Sequence, residues 1–142
     1  MVLNLLHIGK SKFKDKLSQA RIAAGILDKK LYNGPWEVQI DLTNTCNNDC
    51  VGCWCHSPLL KEKAMSKEQK KKKLPLKLVL KLIDNLESMG TRYIYFTGGG
   101  DPWAHPNTVE IIEYVKKKGL ICDMSTNFSL VTKDKVDRII RA

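Results

Sequence analysis

The sequence predicts an α/β fold, with an N-terminal helix ahead of about three parallel strand–helix units. Three observations carry this. Short alternating or β-branched runs occur at Trp36–Leu42, Tyr93–Thr97 and Leu120–Ser125. Each is followed by a loop rich in cysteine, glycine or polar residues, and then by a stretch with helical apolar spacing. Helical crossovers of this length join strands that run parallel, with right-handed connections. The strand ends therefore share one carboxyl edge, where parallel sheets hold their ligands.

The elements follow in order. Phe13, Leu17, Ala20, Ala24 and Leu27 fall on one face of a helix from about Ser11 to Leu27. Asn33-Gly34-Pro35 breaks it. In the first strand Trp36, Val38, Ile40 and Leu42 point one way, and Glu37, Gln39 and Asp41 the other. Thr43-Asn44-Thr45 leads into a cysteine loop. After a lysine run, Pro75 marks the first turn of a helix whose stripe is Leu76, Val79, Leu80, Ile83 and Leu86, with Gly90 as its C-terminal cap. The second strand ends abruptly at Gly98-Gly99-Gly100-Asp101-Pro102. Pro106 opens the next helix, Val109, Ile112 and Val115 form its buried face, and Gly119 closes it. Thr126-Asn127 follows the third strand. Thr132 is placed to cap a last helix with Val136, Ile139 and Ile140 on one face.

With 142 residues the chain has room for one domain and a core, but is short for a barrel enzyme. No stretch approaches the roughly 18–20 apolar residues of a membrane span, and the apolar start Val2–Leu6 lacks the features of a signal peptide. The expected compartment is the cytoplasm. The net charge of +9 raises nucleic-acid binding as a function, but Lys61–Lys73 alone contributes seven lysines against two glutamates. The run Lys70-Lys71-Lys72-Lys73 has no interleaved arginine or aromatic residue to stack on bases, so it reads as a solvated loop and helix lead-in.

Five cysteines, an odd number with four of them within ten residues, read as metal ligands in a reducing compartment rather than as a disulfide framework. Cys46, Cys50 and Cys53 have the spacing C-x3-C-x2-C. Three thiolates without an obvious fourth leave a coordination position open, and an open position suits chemistry, whereas a closed structural site wants four ligands. The alternative is a structural zinc site completed by His56 or Cys55. Cys122, inside the third strand, reads as a small buried hydrophobe. Gly98-Gly99-Gly100 lacks the lysine of a P-loop, but consecutive glycines let a ligand approach the backbone closely.

The cysteine spacing after a strand, together with the glycine loop after the next, resembles the radical S-adenosylmethionine (radical SAM) family over about Val38 to Asn127. The resemblance implies an incomplete (βα) partial barrel. It implies a [4Fe–4S] cluster on Cys46, Cys50 and Cys53, with the fourth iron left for S-adenosylmethionine. Gly99-Gly100-Asp101-Pro102 matches the Gly-Gly-Glu-Pro-like segment that contacts the methionine amino group of the cosubstrate. Asp101 replaces the commoner glutamate and has a shorter reach. The family often has an aromatic residue just before the last cysteine, where it packs near the adenine. Here that position is Gly52, and the aromatic is Trp54. Thr126-Asn127 resembles a Thr-Asn-Gly segment, with Phe128 in place of the glycine. The cofactor-binding expectation thus covers Gly98, Gly99, Gly100, Asp101, Trp54, Thr126 and Asn127.

The implied reaction is reductive cleavage of S-adenosylmethionine to a 5′-deoxyadenosyl radical that abstracts hydrogen from a substrate. The implied partners are a reductant such as a ferredoxin or flavodoxin, a substrate, and a second chain completing the barrel. The family core usually has six strand–helix units. The expectation is therefore a fragment of a longer enzyme, with residues 1–34 as a helical extension and 35–142 as a truncated core. The competing readings are a metal-binding module without catalysis and an inert truncated gene product.

Overall fold

A computed structural model describes residues 16–142. Its elements are α1 (residues 16–28), β1 (Glu37–Ile40), α2 (Lys67–Lys70), α3 (Leu76–Ser88), β2 (Tyr93–Phe96), α4 (Thr108–Lys117), β3 (Ile121–Met124) and α5 (Lys133–Arg141). The strands form one parallel sheet in the order β1-β2-β3. Gln39, Tyr95 and Asp123 lie in one row across it, and Ile40, Phe96 and Met124 in the next. The α/β class and the three parallel strand–helix units are as the sequence predicts.

Alternation along the strands makes the sheet two-faced. Ile40, Ile94 and Phe96 bury their side chains against Val79, Ile83 and Leu86 of α3 and Val109, Ile112 and Val115 of α4. Each such burial contributes about 1.5–3 kcal/mol relative to exposure. The opposite face presents Glu37, Gln39, Tyr93, Tyr95 and Asp123. Gly90 (φ +89°) and Gly119 (φ +70°) turn the chain out of α3 and α4 in the conformation that favours glycine. At the far side of α4, Arg138 of α5 grips Glu113 with two parallel hydrogen bonds, Nε–Oε1 at 3.0 Å and Nη2–Oε2 at 2.7 Å.

Several expectations are corrected. Helix α1 exists, but its predicted apolar face is not buried: Leu17 is 44% exposed and Leu27 83%, while Ser18 is buried. Phe13 lies outside the described residues. Leu17, Ser18 and Arg21 line a cavity of about 190 Å3 together with Asn33, Arg92 and Leu120 at the amino edge of the sheet, so α1 meets a mixed polar and apolar surface. Ile140 is 77% exposed, although Val136 and Ile139 of the same predicted stripe are half-buried. Helix α4 starts at Thr108 rather than at Pro106, because Pro102–Ala104 forms a separate 3-10 turn and the Thr108 hydroxyl donates to Pro102 O and His105 O. Among the described residues no helix is long and apolar enough to cross a membrane.

The lysine-rich segment is more ordered than a solvated loop. Ser66 and Gln69 form a reciprocal capping box around the single turn α2. Beyond it the backbone runs antiparallel to the exit of β1. Asn44 N donates to Lys72 O at 2.9 Å and Leu74 N to Leu42 O at 2.9 Å.

Candidate metal and cosubstrate site

Three loops leave the carboxyl edge of the sheet, and their side chains tie them to one another. The exit of β1 is held first. Thr45 Oγ1 donates to Lys70 O at 2.9 Å, Asn44 Nδ2 donates to Gln69 O at 3.0 Å, and the Thr43 hydroxyl accepts from Thr45 N at 3.0 Å. This fixes where Cys46 begins the cysteine loop. Cys53 N closes a turn onto Cys50 O at 3.0 Å.

The glycine loop packs directly on that exit. Gly98 has φ +120°, and a Cβ there would fall inside the Asp41 carboxylate. A Cβ on Gly100 would strike the Thr45 carbonyl, and one on Gly99 would lie 2.5 Å from Asn44 Oδ1. The Cβ side of each glycine therefore faces the chain's own backbone and side chains. Asp101 N then donates to Thr45 O at 3.0 Å.

Asp101 is buried, and both its oxygens are engaged internally. Oδ1 accepts from Trp103 N at 2.8 Å, and Oδ2 accepts from Thr126 Oγ1 at 2.7 Å and Asn127 N at 2.9 Å. Thr126 and Asn127 are thus brought onto the glycine loop. Asn127 Nδ2 donates to Asn47 Oδ1 at 2.9 Å and lies 4.0 Å from Cys46 Sγ, which joins the third loop to the first. Asn47 Nδ2 in turn donates to Ser129 Oγ at 2.6 Å. Phe128, where the resembling segment has glycine, has φ +63° and is 62% exposed. Trp54 is 71% exposed on the cysteine loop.

Cys46 and Cys53 are half-buried and Cys50 is exposed, all as free thiols. Cys53 Sγ accepts from the backbone N–H groups of Cys55 at 3.4 Å and His56 at 3.3 Å. Among the described residues no three His, Cys, Asp or Glu side chains converge to hold a single metal ion. A four-iron cluster makes no such demand, because each thiolate takes a different corner. Burial, then the neighbouring Cys53 and Asp41, pushes the Cys55 thiol up, and burial followed by Asp123 pushes Cys122 up to about 12. Burial thus disfavours the thiolate of both, and the thiolate is the form that ligates metal.

His56 has a larger part here than its sequence reading as an optional zinc ligand. It is buried, and its Nε2 lies 2.9 Å from Asn44 O and 2.8 Å from Gly99 O. Asn44, Thr45, Asn47 and Ser129 were also not singled out as site residues by sequence reasoning. The one available signal is the polar run Thr43-Asn44-Thr45 directly after a buried strand.

Comparison with known proteins agrees with this geometry. The chain is 28% identical over 101 residues to the tungsten-containing aldehyde ferredoxin oxidoreductase cofactor-modifying protein of Pyrococcus furiosus, covering 70% of this chain and 26% of that protein. It is 32% identical over 104 residues to the AdoMet-dependent heme synthase of Nitratidesulfovibrio vulgaris, covering 73% of this chain and 25% of that one. The chain thus spans about a quarter of the length of these curated relatives. The crystal structure of BtrN in complex with AdoMet and 2-DOIA superposes with a TM-score of 0.59 at 16% identity, over 77% of this chain and 43% of that one, a likeness of fold. The family model of the radical SAM superfamily matches residues 40–142, from the last residue of β1 through all three carboxyl-edge loops. This chain belongs to the radical SAM superfamily.

Proposed function

We propose that residues 35–142 form the cluster- and cosubstrate-binding part of a radical SAM enzyme, with residues 1–34 as an extension. Enzymes of the superfamily use a [4Fe–4S] cluster and S-adenosylmethionine. In this reading Cys46, Cys50 and Cys53 hold the cluster. The observation that supports it best is the mutual tethering of the three edge loops: Asp101 to Thr126 and Asn127, and Asn127 to Asn47 beside Cys46. When bound, the reduced cluster supplies one electron for cleavage of S-adenosylmethionine to methionine and a 5′-deoxyadenosyl radical that takes hydrogen from a substrate.

The chain's own residues then have distinct tasks. The backbone of Gly99, Gly100 and Asp101 faces the cosubstrate amino group, while the Asp101 side chain holds that backbone in place from behind. Asn127, beside Cys46, keeps the third loop against the cysteine loop. Trp54, exposed one residue after Cys53, is available to cover adenine. Further strands, from this or another chain, pair with the edge of β3, and a ferredoxin- or flavodoxin-like reductant delivers the electron.

The competing reading is a structural zinc site completed by His56 or Cys55. Burial disfavours the Cys55 thiolate, and His56 Nε2 is committed to two carbonyls, which leaves Nδ1 as its metal-binding nitrogen. Reconstitution without oxygen decides between the readings. The proposal expects about four irons and four labile sulfides per chain, with a broad absorbance lost on reduction. Stoichiometric zinc without sulfide would overturn it.

A further inference from the structure

We propose that His56 is a positioning residue that fixes the spacing between the cysteine loop and the glycine loop, an inference that rests on the cluster-and-cosubstrate reading above. The ring is 5% exposed, and its Nε2 reaches the carbonyls of Asn44 and Gly99 at 2.9 and 2.8 Å. A carbonyl oxygen only accepts, so Nε2 carries the hydrogen and shares it between the two. One rigid side chain thereby holds the exit of β1 and the middle of the glycine loop at a set separation. The same residue's backbone N–H donates to Cys53 Sγ. His56 is therefore fastened at once to a proposed cluster thiolate, to the strand that starts the cysteine loop, and to the carbonyl of a proposed cosubstrate-contacting glycine.

The consequence is mechanical. The bridge keeps Gly99 from drifting away from the cysteine loop, and Asn44, 2.5 Å from where a Gly99 Cβ would lie, keeps it from moving closer. Removing the ring N–H leaves two carbonyls short of a donor in a buried place, which loosens the loop instead of leaving it neutral. Outer partners of this kind orient the groups that do the binding, and their loss typically costs about 10–100-fold in affinity or activity.

The test uses the full chain with His56→Leu, which fills the space without a donor, and His56→Gln, whose amide can donate to both carbonyls. Amide hydrogen exchange is read first on the cluster-free protein. In H56L, exchange at Asp101 and Cys55 should accelerate about tenfold, as expected for one lost hydrogen bond, while Ile94 and Phe96 in β2 stay unchanged. H56Q should return Asp101 and Cys55 close to the wild-type rates. On the reconstituted protein, all three forms should hold equal iron and sulfide, but H56L should need about 10–100-fold more S-adenosylmethionine to change the electron paramagnetic resonance spectrum of the reduced cluster. Unchanged exchange in H56L, an H56Q variant no better than H56L, or an unchanged cosubstrate titration overturns the inference. A wild-type chain that takes up no cluster or does not respond to S-adenosylmethionine overturns the proposed function instead, and the exchange data still decide the role of His56.

Discussion

Asp101 Oδ2 accepts a hydrogen bond from Thr126 Oγ1 at 2.7 Å, and this joins the loop after β2 to the loop after β3 across the carboxyl edge of the sheet. The same carboxylate accepts from Asn127 N and Trp103 N, so both its oxygens serve the scaffold. Asp101→Asn replaces one acceptor oxygen by a donor that faces donors. It should destabilise the chain by about 1–3 kcal/mol, seen as a lower urea midpoint with an unchanged slope.

The glycines divide sharply. Gly100→Ala places a methyl group against the Thr45 carbonyl, and Gly98→Ala adds a left-handed backbone to a clash with Asp41. Each should cost at least about 1–3 kcal/mol. Gly52, just before Cys53, has nothing within 4 Å of where its Cβ would lie. Gly52→Ala should therefore fall within about 0.5 kcal/mol of wild type in the same denaturation measurement.

Phe128 holds a conformation that suits glycine, and its exposed ring offers little packing in return. The left-handed region costs a side-chain-bearing residue roughly 1–2 kcal/mol, and glycine's extra unfolded-state freedom takes back about half of that. Phe128→Gly should raise stability by about 0.5–1 kcal/mol, read as a higher melting temperature. A lower one would show that the ring is packed in solution.

Cys46→Ala, Cys50→Ala and Cys53→Ala should each abolish stable uptake of iron and sulfide. Cys55→Ala and Cys122→Ala should keep it, with Cys55→Ala losing about 1 kcal/mol of stability from its buried position. Iron and sulfide analysis of the five variants checks the assignment. Loss of the cluster in Cys55→Ala with retention in Cys46→Ala would reverse it.

Asp84 links α3 to α4 by accepting from Tyr114 Oη at 2.8 Å and pairing with Lys118 Nζ. Lys118 first, then Tyr114, holds its carboxyl below the ordinary value of 3.8. A depressed carboxylate contributes stability above its unfolded-state pKa and loses it as pH falls through the lower folded value. Asp84→Asn should thus melt earlier than wild type at neutral pH, and the gap should close as the pH falls below the ordinary carboxylate range. A gap that persists in acid would mean that packing, not charge, is the cause.

The parallel sheet was legible because alternation in Val38–Ile40 and Ile94–Phe96 reports directly which side chains face the core. The cysteine spacing was legible because ligand spacing is local. What escaped was non-local. His56 finds its acceptors 12 and 43 residues away, at Asn44 and Gly99, and nothing in its own neighbourhood marks backbone carbonyls as partners. The sequence marks the glycines as a place of close approach, and the crowding on their Cβ side comes from Asp41 and Thr45 at another strand's exit, a non-local partner no local pattern shows. The stripe through Leu17 and Leu27 shows that periodicity reveals an amphipathic helix without naming the surface it meets. Helix α2 was within reach, since Ser66-Lys67-Glu68-Gln69 is a capping box concealed in a lysine-rich composition.

The antiparallel return of Lys70–Leu74 along Leu42–Thr45 has a consequence for loop length. The chain leaves the sheet at Thr45 and comes back beside the same residue, so everything from Cys46 to Gln69 is a closed loop whose ends are already joined. Closing a flexible loop costs only about 0.6 kcal/mol more for each doubling of its length. The stretch Pro58–Lys63 can therefore be lengthened, trimmed or given another composition, whereas His56 and Ser66–Gln69 keep their contacts to the exit of β1. Variation in length belongs there, and the spacing of the cysteines does not have to pay for it.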